Sequence, residues 1–121
     1  MTTTLPKPAL AISETAFQNQ VVDLAHLFGY SVAHFRTSRT GSGGHGTAVA
    51  YDATGYPDLT ICGPNGVIFA EVKAQKGHLT PAQEEWAGRL IAAGATWFMW
   101  KPSDWDAIVT ALRPITPGVK R

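Results

Sequence analysis

Asp58, Glu71 and Lys73 are the residues of this chain whose types and spacing come closest to a catalytic arrangement. They flank Gly63-Pro-Asn-Gly66, a turn signal between two short apolar runs, 58–62 and 67–73. If residues 63–66 form a four-residue loop, Cys62 pairs with Val67 and Asp58 lies directly opposite Glu71. Side chains alternate along a strand, so Glu71 and Lys73 share a face with Val67 and Phe69. A two-residue turn shifts the register by two and keeps that face. Two carboxylates and one ammonium then converge on one side of a sheet. Opposed like charges, with Cβ atoms about 4.5–5.5 Å apart, destabilise a strand pair. A divalent cation with oxygen ligands is the natural compensation. The alternation equally permits an ordinary solvated face, against which Val67 and Phe69 argue.

Other polar residues have weaker claims. His26 and His34 with Asp58 suggest a zinc hydrolase, but no His-x-x-x-His or His-Glu-x-x-His spacing supports one. Arg36, Arg39, Lys76, His45 and His78 suit contacts to a phosphate backbone, although surface ion pairs explain the arginines as well. Glu14 follows Ser13 in the first turn of a helix, where an acid meets the helix dipole favourably whatever its function. Gln83 completes a Thr-x-x-Gln capping box with Thr80, a purely local duty. Gln18 reads as helix surface, Cys62 as an ordinary buried thiol, and the four tryptophans as packing.

The elements that must position these residues follow from periodicity. Phe17, Val21, Leu24, Ala25 and Phe28 recur at helical spacing behind Ser13, and Gly29 stops the helix. Residues 30–35 read as a strand. A glycine-rich loop of twenty residues, 37–56, follows, of a length that inside a compact domain is functional or disordered. After the hairpin, Thr80 caps a second helix with Pro81 at its first position. Trp86, Ala87, Leu90 and Ile91 form its apolar face and Gly94 ends it. Residues 95–101 read as a fourth strand, and Ser103 caps a last helix that runs to Leu112.

The chain has 121 residues and 13.0 kDa, enough for one domain. Residues 1–12 read as a flexible arm, 13–112 as the domain and 113–121 as a flexible tail. With 45% apolar and 16% charged residues, the composition excludes a disordered solvated chain. The longest mostly apolar stretch, 90–100, is far below the roughly 20 residues of a membrane span. No signal peptide is visible, and a single cysteine is consistent with a reducing cytoplasm. A net charge of +1 names no partner, so any nucleic-acid surface must be local.

Pro57-Asp58 followed by Glu71-Val72-Lys73 resembles the signature of the PD-(D/E)XK nuclease superfamily. Glu14-Thr-Ala-Phe-Gln18, His34-Phe-Arg36, Gly55-Tyr-Pro-Asp-Leu59, Gly77-His-Leu-Thr-Pro-Ala-Gln83 and Trp100-Lys-Pro-Ser-Asp-Trp105 resemble its VRR-NUC branch of phage and bacterial proteins. The resemblance implies an α/β fold with a restriction-endonuclease-like core, in the order α-β-β-β-α-β-α around a mixed sheet. It implies hydrolysis of DNA phosphodiesters with Mg²⁺ or Mn²⁺ held by Asp58, Glu71 and the main-chain carbonyl of Val72. Lys73 would orient water or neutralise charge, Glu14 would reach the metal through water, and Gln83 matches a polar position of the second helix. Relatives that resemble Holliday junction resolvases suggest branched DNA as substrate, and cutting both strands requires a homodimer. A non-catalytic nucleic-acid-binding module of the same fold, or an enzyme acting on a small phosphoester, are the alternatives.

Overall fold

The computed structural model describes residues 5–35 and 51–115. The chain runs α1 (Glu14–Leu27), β1 (Ser31–His34), β2 (Leu59–Gly63), β3 (Gly66–Val72), α2 (Pro81–Ala92), β4 (Thr96–Trp100) and α3 (Trp105–Leu112). The four strands form one sheet in sequence order. Neighbours β1–β2 and β2–β3 are antiparallel, whereas β3–β4 is parallel, with α2 as the crossover that parallel pairing needs. The expected mixed α/β architecture and element order are observed. No helix among the described residues is long and apolar enough to cross a membrane.

Strand alternation divides the sheet into two unlike faces. Leu59 and Ile61 of β2, Ile68, Ala70 and Val72 of β3, and Trp100 of β4 point to one side. There they meet Phe17, Val21, Leu24 and Ala25 of α1 and Trp105, Ile108 and Leu112 of α3, forming the core. The opposite face carries Thr60, Cys62, Val67, Phe69 and Glu71. Its sole helical cover among the described elements is α2, over the β3–β4 side. Burial on this face is graded along β3: Val67 is 46% exposed, Phe69 is half-buried and Glu71 is fully buried.

Three expectations change. Cys62 is exposed, not buried, because it lies at the hairpin end beyond α2. Ile91 is exposed too; α2 covers only part of the sheet and buries Ala87 more deeply than its neighbours. Ser103 does not cap α3. It sits in a 3₁₀ turn, Pro102–Asp104, where its amide donates to Gln75 Oε1 and its Oγ accepts from Gln75 Nε2, both at 2.9 Å. Residues before α1 also touch the domain: Leu5 and Ile12 pack on the core, Gln20 donates to the Pro6 carbonyl, and Lys7 pairs with Asp106. At the other end, Asn65 in the hairpin turn donates to the Ala111 and Arg113 carbonyls and accepts from the Ile115 amide, which pins residues 113–115.

Candidate functional site

The hairpin register is the one expected, but the loop is shorter than the expected four residues: Gly63 and Gly66 themselves pair, leaving Pro64-Asn65 as a two-residue connection without shifting the register. Cys62 opposes Val67 and Leu59 opposes Ala70, so the next pair along is Asp58 and Glu71. Asp58 lies just before β2, and its Oδ2 accepts the Val72 N–H at 2.9 Å, extending the ladder through a side chain. In an extended strand, N–H and C=O of one residue project to the same side, so the Val72 carbonyl is also on the Asp58 side. The ladder on the other flank continues through the Lys73 N–H, which donates to the Trp100 carbonyl at 3.0 Å.

Glu71 is the one charged side chain fully buried among the described residues. Its Oε1 accepts from Gln83 Nε2 at 3.3 Å, while Oε2 is buried without a hydrogen-bond partner. Burial raises the Glu71 pKa to about 8, and the neighbouring Asp58 carboxylate adds to the rise. Lys73 opposes it. The half-buried lysine is near enough to be felt, but the ion pairs among the described residues, Lys7–Asp106 and Arg89–Glu85, do not include it. An uncompensated buried carboxylate is costly, so Glu71 is either protonated or balanced by a cation.

Beside the pair opens a cleft of about 230 Å³, into which four separate parts of the chain contribute. Glu14, Thr15 and Gln18 come from the first turns of α1, which Ser13 starts by accepting the Ala16 N–H at 3.1 Å. His34 and Phe35 come from the end of β1, Gly55, Tyr56 and Asp58 from the approach to β2, and Gln83 from α2. Gln18 Nε2 lies 3.4 Å from His34 Nδ1, which joins the two walls. Tyr56 stands against Phe35, Phe69 and Trp86 in edge-to-face contacts of 5.9, 6.3 and 5.1 Å. The approach segment is fixed to α2: Trp86 Nε1 donates to the Asp52 carbonyl at 3.0 Å. Gly55 adopts φ +87°, and a Cβ there would stand 2.5 Å from the Ala82 carbonyl carbon, so only glycine permits this approach. A wider groove of about 510 Å³ lies between this segment and α2, but its Arg89 and Glu85 neutralise each other at 3.0 Å.

The structure therefore brings Glu14, Asp58 and Gln83 to one cleft; Glu71 does not line it but is bonded to Gln83, and Lys73 lies near Glu71. Lys76 and His78 are exposed on the β3–α2 connection and do not line the cleft. Arg36, Arg39 and His45 lie outside the described residues. Gln18, His34, Phe35 and Tyr56 are cleft residues that sequence reasoning did not assign there; the pairing of β1 with β2 brings His34 opposite Leu59, next to Asp58. Among the described residues no three His, Cys, Asp or Glu side chains cluster as a metal-binding group. The donor set is smaller: two carboxylates, one with a buried oxygen lacking a partner, plus the Val72 carbonyl. That set suits Mg²⁺, which takes one or two carboxylates and keeps water or phosphate for its remaining positions. Compared with protein-family models, curated proteins and solved structures, the chain matches none.

Proposed function

We propose that the chain is a divalent-metal-dependent deoxyribonuclease with a PD-(D/E)XK core of the VRR-NUC kind. The observation that carries this reading is Glu71, a fully buried carboxylate with an unpartnered oxygen, set opposite Asp58, which lines a polar cleft. Asp58, Glu71 and the Val72 carbonyl would hold Mg²⁺ or Mn²⁺, which acidifies a water and offsets charge on a phosphodiester attacked in line. Lys73 supplies a positive charge on the same face, suited to orienting that water or to neutralising the developing oxyanion. Glu14 and Gln83 frame the cleft from opposite helices. Glu14 suits a contact to the metal through water, and Gln83 holds Glu71. Lys76 and His78, with Arg36, Arg39 and His45, would take the flanking phosphates. The substrate proposed is branched DNA, a four-way junction in particular, cut by a homodimer so that two sites act on two strands.

Incubation with linear, flap and four-way DNA, in Mg²⁺ and in EDTA, tests this reading. Metal-dependent cleavage that disappears in Asp58→Asn supports it. Tight DNA binding with no cleavage under any metal would instead make the chain a non-catalytic nucleic-acid-binding module.

A further inference from the structure

The N-terminus of α2 is tied to the acidic pair through one side chain. Thr80 and Gln83 form a reciprocal cap. The Gln83 N–H donates to Thr80 Oγ1 at 3.2 Å, and the Thr80 N–H donates to Gln83 Oε1 at 2.9 Å. The second bond fixes which way the Gln83 carboxamide faces. Flipping it would set the NH₂ group against the Thr80 N–H, donor to donor, and turn the amide oxygen toward Glu71. With Oε1 engaged by the cap, Nε2 is the atom left to reach Glu71, and it donates to Glu71 Oε1 at 3.3 Å. The remaining carboxylate oxygen, Oε2, is buried and has no hydrogen-bond partner.

We propose that Gln83 is a positioning residue: clamped by the cap of α2, its amide holds one oxygen of Glu71 and leaves Oε2 as the single oxygen offered to a metal shared with Asp58. This inference rests on the metal reading above. The terminal torsion of a free glutamate is broad and roughly two-fold, so either oxygen can turn forward. Anchoring one oxygen removes that freedom before the cation arrives. Groups that orient a metal ligand from behind typically change metal affinity 10- to 100-fold when removed. Thr80 acts one step further back, because its backbone N–H holds the amide and its hydroxyl only strengthens the helix start.

Two substitutions separate positioning from plain stability. Thr80→Ala removes the hydroxyl half of the cap but retains the backbone bond to Gln83 and the donor to Glu71. Gln83→Met keeps the length of the side chain and removes the donor. Gln83→Asn retracts the amide by one methylene and repeats the test with a more conservative change. Mn²⁺ titration by calorimetry, with unfolding midpoints measured in EDTA, reads both properties. The expected result is lower midpoints for Thr80→Ala and Gln83→Met, wild-type Mn²⁺ affinity in Thr80→Ala, and at least tenfold weaker Mn²⁺ binding in Gln83→Met and Gln83→Asn. Wild-type affinity in both Gln83 variants, or affinity that falls in step with the midpoint in all three, would overturn the positioning role alone. A wild-type protein that takes up no Mn²⁺ would overturn the metal reading and this inference together.

Discussion

Glu71→Gln is the perturbation whose outcome is most tightly fixed by the structure. Glutamine keeps the shape of the side chain and still offers a carbonyl oxygen to Gln83 Nε2, but it has no charge to bury. In the wild-type protein without metal, burial and the Asp58 carboxylate raise the Glu71 pKa from 4.5 to about 8. The folded state therefore holds this proton more tightly than the unfolded state does, and stability falls as pH rises from about 4.5 to about 8. Below that window the group costs nothing; above it the penalty is complete. One pKa unit corresponds to about 1.4 kcal/mol, so the full shift corresponds to about 5 kcal/mol. Local relaxation and water entry reduce this, and about 2–5 kcal/mol is the expected range. Against a total stability of order 5–15 kcal/mol the effect is large, roughly 8–20 °C in the unfolding midpoint. Urea unfolding of both proteins in EDTA at pH 4.5 and pH 8.5 measures it, and comparison with the variant cancels the titrations of groups remote from Glu71. The two proteins should be nearly equal at pH 4.5, with Glu71→Gln the more stable at pH 8.5. Parallel pH profiles would refute the claim that Glu71 carries an uncompensated buried charge.

Two further outcomes follow from the geometry. Lys73→Arg keeps the charge but changes its shape and reach beside Glu71, so cleavage should fall at least tenfold while Mn²⁺ affinity stays near wild type; full turnover would show the lysine to be a bystander. Gly55→Ala places a Cβ against the Ala82 backbone at a positive φ, so it should cost about 1–3 kcal/mol and displace the approach to Asp58, read by thermal unfolding and by cleavage rate.

Local signals carried most of the fold. The Gly63–Gly66 turn fixes the hairpin register within a few residues, so the opposition of Asp58 and Glu71 is legible in the sequence alone. Thr80 and Pro81 likewise set the start of α2, and Gln83 its cap. What the sequence hid depends on non-local cover. Alternation places Cys62, Val67, Phe69 and Glu71 on one face but cannot say that Gln83 of α2 reaches Glu71 while the hairpin end stays open, which leaves Cys62 exposed and Glu71 buried. The cleft was hidden for the same reason. Gln18, His34 and Tyr56 are far apart in the chain and meet only because β1 pairs with β2 and α1 packs beneath them. Asn65 read as a turn residue; its three bonds to residues 111–115 depend on where α3 ends.

The same structure refines how the acidic pair must be tested. Asp58→Ala would strand the Val72 N–H that Asp58 Oδ2 accepts, mixing lost structure with lost charge. Asp58→Asn keeps an acceptor for that bond while removing the charge and replacing the second oxygen by an amide nitrogen that cannot ligate a metal. Cleavage of a four-way DNA junction by wild-type protein and by Asp58→Asn, each in Mg²⁺ and each in EDTA, is therefore the most direct measurement. The expected result is cleavage by the wild-type protein in Mg²⁺ alone, and none by the folded variant under either condition. Equal cleavage by Asp58→Asn, or cleavage by the wild-type protein that persists in EDTA, would contradict it.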